Sequence, residues 1–343
     1  MEVRVAQSRK HWSDAADLLF CYHRETAVEV GADAPGCPED VWLPVRGEAT
    51  DPASVFNTYL VAHQSDHPVG GVALVAHDAR SVMLKRCFVR PEWRRRGIAK
   101  ALSQAADQEA APRGVGRLVL DILPSRQGGI AAWRRMGFAE AEPWGDASMV
   151  YFERLVGDGR RRTWLGLYRG EVALSDGDAR WVSVFEHQAE VLRQALGERV
   201  IAIEHVGSTA VEGLVAKPIV DVTVRLAPDA DEDSVVGSLE NRGYEFRGDK
   251  EQAGGLLFVL DDQPRHRIAH VHLVRDGDHD GQWERYLTVR DQLRTDAGAR
   301  AAYATRKCDL ARRFPSDRGS YTAAKASVVE RLLRLAVDGS GRR

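Results

Sequence analysis

The stretch Val82–Ala110, VMLKRCFVRPEWRRRGIAKALSQAADQEA, decides how the first half of the chain is read. A strand-like run ends near Arg90, Pro91 stops it, and a helical pattern starts around Gly97. Between them lies Arg94-Arg95-Arg96-Gly97-Ile98-Ala99, an R-x-x-G-x-A sequence. Small residues at Gly97 and Ala99 let backbone amides approach an anion closely. A helix N-terminus adds unsatisfied N–H groups and the positive end of its dipole. The arginines supply charge-assisted, bidentate donors. Strand, basic turn and helix in this order are what a pyrophosphate group needs.

The patterns on either side continue this alternation. Ser13–Glu29 carries helical spacing, and Thr58–Ala62 and Gly70–Ala76 look like paired strands turning at Asp66–Pro68. Ser81–Val89 is the next strand, Gly97–Ala110 a helix, Arg117–Leu123 a strand, and Ile130–Met136 a helix stopped by Gly137. The segment Val156–Gly170, VGDGRRRTWLGLYRG, mixes glycine with three arginines and reads as a connector. Beyond it, Trp181, Val184, Phe185, Leu192 and Leu196 share one helical face, with Gly197 as the stop. Strands follow at Val200–Val206, Ile219–Leu226, Leu256–Leu260 and Ala269–Val274, and about the last 60 residues read as helices. The expected fold class is α/β and α+β, in two domains over 1–155 and 171–336, with a linker at 156–170 and a tail at 337–343.

Composition agrees with two globular domains. The chain has 343 residues, 44% apolar and 29% charged, too long for one ordinary domain and too apolar for wholesale disorder. A net charge of −2 and a pI of about 6.6 give no electrostatic case for a nucleic-acid or membrane-surface partner. No apolar run approaches the roughly 20 residues of a membrane helix, and the opening MEVRVAQSRK lacks a signal core. Cys21, Cys37, Cys87 and Cys308 form no C-x-x-C pair, which disfavours a disulfide framework or zinc cluster. A cytoplasmic protein is expected.

From about Val3 to Leu155 the chain resembles the GNAT N-acetyltransferase superfamily, through the basic turn and through LVLDILPSRQGGIAAWRRMGF at Leu118–Phe138. The resemblance implies an acetyl-CoA site with Arg95, Arg96, Gly97, Ile98, Ala99 and Lys100 around the pyrophosphate and Val89 and Trp133 beside it. It also implies a pantetheine arm between the Ser81–Val89 and Arg117–Leu123 strands, and a small-molecule amine as acceptor. Two positions depart from the family. Trp133 stands where many relatives carry a tyrosine that protonates the departing thiolate, and Met83 where the nearest subgroup often has a glutamate base. Asp121, His63 and a water chain are the alternatives for those roles, with Asp121 as candidate acceptor-site residue. Aminolysis of a thioester needs positioning more than strong acid–base help.

In the second half, Ile201–Leu226 reads IAIEHVGSTAVEGLVAKPIVDVTVRL. One strand ends in Gly207-Ser208. The next carries Asp221, Thr223 and Arg225 on one face and Val220, Val222 and Val224 on the other. A carboxylate inside an apolar strand is costly unless it meets a cation or a donor. Further on, His270 and His272 share one face of AHVHLV. Two strands thus each point polar groups one way, as a metal or phosphate site requires.

With Trp283–Leu293 and Asp317–Leu333, these motifs resemble the GrpB-like family of the nucleotidyltransferase superfamily over about Glu171–Ala336. That resemblance implies phosphate contacts at Gly207, Ser208 and Lys217, Asp221 as a catalytic metal ligand, and His270 and His272 near the third acidic position. Mg²⁺ with ATP, or another divalent metal, is the implied cofactor. Tyr321 and Lys325 are further candidate phosphate contacts. The departure is Thr223, where an active nucleotidyltransferase has a second aspartate. Three functions remain open on sequence alone: an acetyl-CoA-dependent N-acetyltransferase fused to a nucleotide- or phosphate-binding domain, a nucleotidyl transfer or ATP-dependent activation centred on the second half, and a pair of non-catalytic ligand sensors.

Overall fold

The computed structural model describes residues 1–30, 48–156, 164–249, 255–277 and 281–340. The arginine run at 160–162, Cys37 and the last three residues of the expected tail lie outside them. The chain folds as two compact units, one of Met1–His77, Ser81–Ala111 and Val115–Gly159, the other of Asp78–Arg80, Pro112–Gly114 and Arg160–Arg343. Both are mixed α/β, as expected.

The first unit runs β1 (Glu2–Val5), α1 (Arg9–Val30), α2 (Pro52–Val55), β2 (Thr58–Gln64), β3 (His67–Asp78), β4 (Ser81–Val89), α3 (Ile98–Ala110), β5 (Arg117–Ile122), α4 (Gln127–Arg135), β6 (Ala139–Glu140) and β7 (Val150–Leu155). Its seven strands lie in the order β1-β2-β3-β4-β5-β7-β6. Helix α3 buries Ile98, Leu102, Ala106 and Ala110, one stripe at helical spacing, against Leu60, Val72, Leu84 and Leu118 of the sheet. Helix α1 covers the other face with Ala15, Leu18 and Leu19 against Tyr59, Val61 and Phe88. The β2–β3 turn is Ser65-Asp66, both at positive φ. It sits one residue earlier than sequence suggested, so Pro68 belongs to a strand.

Strands β4 and β5 run parallel but pair only at Ser81–Arg117, Val82–Leu118 and Met83–Val119. Beyond Met83 they part, and Arg86 takes a positive φ of 55° in the diverging half of β4.

The second unit contains β8 (Leu167–Tyr168), α5 (Arg180–Leu196), β9 (Val200–Val206), β10 (Val220–Leu226), α6 (Glu232–Glu240), β11 (Glu245–Asp249), β12 (Leu256–Gln263), β13 (His266–Arg275), α7 (Gln282–Thr295), α8 (Ala297–Arg313) and α9 (Arg318–Ser340). The sheet order is β11-β12-β13-β10-β9, with β8 beside β13. The expected face of α5 is buried at Trp181, Val184, Leu192 and Leu196. Helices α7, α8 and α9 join Val211 and Leu214 in one apolar cluster through Leu293, Tyr303 and Leu332. Among the described residues, no helix is long and apolar enough to cross a membrane.

Candidate functional site

The parting of β4 from β5 opens a cavity of about 900 Å³ in the first unit. Its lining includes Val89, Arg95, Gly97, Ile98, Ala99, Lys100 and Trp133, seven residues singled out from sequence. Gly97, at φ +82°, is the N-cap of α3. The first helical bond runs from the Ala101 N–H to the Gly97 carbonyl at 3.0 Å, so the N–H groups of Ile98, Ala99 and Lys100 have no partner inside the helix. Arg95 is itself left-handed at φ 62°. The turn therefore presents backbone donors, a helix dipole and two cationic side chains to one place.

Three other expected residues lie elsewhere. Arg96 is not among the lining residues; its guanidinium sits over the Trp93 ring, 4.7 Å from the centroid. Asp121 does not reach the cavity. Its neighbour Ile122 does, and strand alternation turns Asp121 to the opposite face. His63 is buried and bonded through Nε2 to Asp14 Oδ2 at 2.8 Å, a structural pairing.

Sequence reasoning missed the wall that α1 supplies, Tyr22, Glu25 and Glu29, one helical face at spacings of three and four. Glu25 is held by Arg94 at 2.6 Å. Glu29 accepts from Arg126 at 2.7 Å and from Ser125. Burial alone would raise the Glu29 pKa, yet the Ser125 and Arg126 bonds prevail and hold it below the usual range. Tyr22 sits between two guanidinium groups, Arg86 and Arg126, 5.8 and 5.3 Å from its ring centroid. Glu48 fixes Arg86 through bonds of 2.7 and 2.9 Å. Trp133 meets Phe138 edge-on at 5.1 Å and has no acidic hydroxyl. Cys87 also lines the cavity, and burial pushes its thiol up to about 12.

In the second unit, β10 and β13 pair in parallel, with Asp221 opposite His270 and Thr223 opposite His272. The two polar faces read from sequence are thus one surface. Gly207, at φ +70°, packs so tightly that a Cβ there would lie 2.5 Å from Asp221 Oδ2. Ser208 opens the short turn that follows. Lys217 places Nζ over the Tyr321 ring at 5.0 Å, and burial, with Arg318 and Lys325 nearby, lowers it to about 8.

The expected metal set does not form. Among the described residues, no three His, Cys, Asp or Glu side chains are arranged to hold a metal ion. Both ring nitrogens of His270 are engaged, Nδ1 with Asp221 Oδ1 and Nε2 with Arg318, each at 2.9 Å. Arginine only donates, so Nε2 accepts and the Nδ1–H donates to Asp221. Burial opposes charge on Asp221, but the bond from His270 and the field of Lys325 outweigh it and keep the group ionised. His272 turns Nδ1 to the Tyr286 hydroxyl at 3.1 Å, and burial lowers its pKa to about 4. The Mg²⁺ implied by the superfamily does not fit this donor set.

His205, on β9, gives a pH prediction. It is 6% exposed, stacked on Phe185 at 4.8 Å, and bonded to Thr209 Oγ1 at 3.0 Å. Burial lowers its pKa to about 4, below the unfolded value of 6.5. The unfolded chain therefore binds the proton first, and stability falls as pH drops from about 6.5 to 4, by about 3 kcal/mol for this group. Denaturant titrations across that window should give a shallower pH slope for His205→Gln than for the wild type; equal slopes would refute the assignment.

The fold defines a two-domain protein: an acetyltransferase-type domain with a basic turn at a helix N-terminus, followed by a mixed α/β domain. The acetyltransferase (GNAT) family matches residues 19–138, and the GrpB protein family matches residues 171–335. A UPF0157 protein of Pseudomonas aeruginosa is 38% identical over 182 residues, covering 52% of this chain and 73% of that protein. The UPF0157 protein YqkA of Bacillus subtilis is 24% identical over 304 residues, 89% of this chain and 82% of YqkA. The crystal structure of the conserved protein GrpB from Enterococcus faecalis aligns with a TM-score of 0.45 at 29% identity, over 50% of this chain and 100% of that one. The chain belongs to the GrpB (UPF0157) family and carries a GNAT domain ahead of its GrpB domain.

Proposed function

We propose that the first unit transfers an acetyl group from acetyl-CoA to a small-molecule amine. The observation that carries this reading is the continuous cavity from the Gly97 turn through the β4–β5 gap to the α1 wall. Acetyl-CoA supplies an activated thioester. The N–H groups of Ile98, Ala99 and Lys100, with the Arg95 side chain, would hold its diphosphate; Val89, Ile122 and Trp133 would enclose the thioester arm and exclude water. The diverging edge of β4 offers backbone N–H groups to polarise the acyl carbonyl.

Tyr22 is the proposed proton donor to the departing sulfur, in the role that Trp133 cannot fill. Among the described lining residues, Glu25 and Glu29 are ion-paired carboxylates, the Cys87 thiol is pushed far up and Lys100 belongs to the turn at the start of α3, so the Tyr22 hydroxyl is the donor we assign. The attacking amine must arrive neutral, since an ammonium has no lone pair; as the C–N bond forms and the C–S bond breaks, the proton lost by the nitrogen replaces the one Tyr22 gives to sulfur.

The test is acetyl-CoA-dependent release of free thiol across a panel of small amines, with the full chain. Turnover with at least one amine is expected. Tight acetyl-CoA binding without turnover on any amine would move the reading to a CoA sensor.

A further inference from the structure

The second unit carries a cavity that the acyl-transfer chemistry does not use. It measures about 430 Å³ and is lined from β12 and β13 by Leu257 and Val259, which are apolar, and by His270. Four arginines converge on it: Arg169 just after β8, Arg247 from β11, Arg267 from β13 and Arg318 at the start of α9. They come from four separate elements, so no basic run in the sequence explains their meeting. Like charges gathered around one cavity repel unless something anionic offsets them.

The fixed anions offset only part of this charge. Arg267 is paired with Asp261, and Arg247 with Glu245 at 2.9 Å. Arg318 donates to His270, which its own bond to Asp221 keeps as a neutral acceptor. The Arg169 side chain has no ion-pair partner among the described residues. Among the described residues, two guanidinium groups are thus left without a carboxylate of their own, while Lys217 and Lys325 add their fields around Asp221. A divalent cation brought to Asp221 would meet that excess directly.

We infer that this cavity binds a phosphate-bearing small molecule without a divalent metal, Arg169 and Arg318 serving as its principal anchors. A phosphate group carries up to two charges and three free oxygens, so it accepts from several guanidinium forks at once, whereas a single carboxylate offers two oxygens. The cavity exceeds a bare phosphate, and Leu257 and Val259 provide surface for the organic part. Asp221 then orients His270 through Nδ1 and, through it, Arg318.

The test is calorimetric titration of inorganic pyrophosphate into the full chain carrying Gly97→Glu, in EDTA. Blocking the turn on α3 confines the signal to the second unit and separates this inference from the acetyl-CoA reading. Binding in EDTA is expected, weakened at least tenfold by Arg318→Ala and by Arg169→Glu. Arg169 is exposed, so its variant keeps the fold even if the other does not. Three results would overturn the inference: binding only when Mg²⁺ is supplied, equal affinity for citrate, or no heat from pyrophosphate at all.

Discussion

Acetyl-CoA binds the wild-type chain at micromolar affinity, about −8 kcal/mol, and the Gly97→Glu chain at least 100-fold more weakly: this is the expected result of a calorimetric comparison. No atom lies within 4 Å of a Cβ built at Gly97, so the change creates no packing clash. The left-handed backbone, at φ +82°, charges any larger residue about 1–2 kcal/mol, a cost a domain of this size tolerates. The introduced carboxylate falls where the first N–H groups of α3 are unpaired, so it takes the place of the phosphate and repels what remains of it. Gly97→Ala separates strain from charge and should keep affinity within a few-fold. Wild-type affinity in the glutamate variant would remove the diphosphate from this turn.

Tyr22→Phe should lower kcat by about 100-fold or more, the usual scale for losing a positioned proton donor, and leave the KM for acetyl-CoA nearly unchanged. Tyr22 belongs to the α1 wall, with Arg86 and Arg126 flanking its ring, and is not part of the turn proposed to hold the diphosphate. Cys87→Ser is the companion variant and should retain most of the rate. An unchanged kcat in Tyr22→Phe would exclude the assignment, while a raised KM with unchanged kcat would make Tyr22 a binding residue.

What could be read from sequence divides along a physical line. The Arg94–Lys100 turn was legible because its chemistry is local: consecutive residues, a helix start and a glycine at the position that adopts a positive φ. That Asp221 and His270 lie on polar strand faces was legible from period-two alternation, but in sequence they read as metal ligands; the strand register that lets them bond to each other directly was missing. Asp121 misled because alternation gives two faces and does not say which one a gap between strands will open onto. Tyr22 and Arg318 were invisible for a different reason. Each reaches its site from a distant helix, Arg318 meeting His270 across 48 residues of sequence, and no local pattern encodes that approach. Helix α6 escaped because Gly237 and two serines give it poor propensity; Asp231 caps it by accepting from the Ser234 N–H at 2.8 Å.

The contact between Gly207 and Asp221 ties two positions into one heritable unit. With the site of a Cβ only 2.5 Å from the carboxylate oxygen, a side chain at 207 displaces the carboxylate at 221. A lineage that gains alanine or serine at the first must move or shorten the second, and in doing so it frees His270 and slackens Arg318. Drift at the glycine would therefore be recorded three elements away, in the arginine that faces the cavity, and the two strand ends should change together or stay as they are.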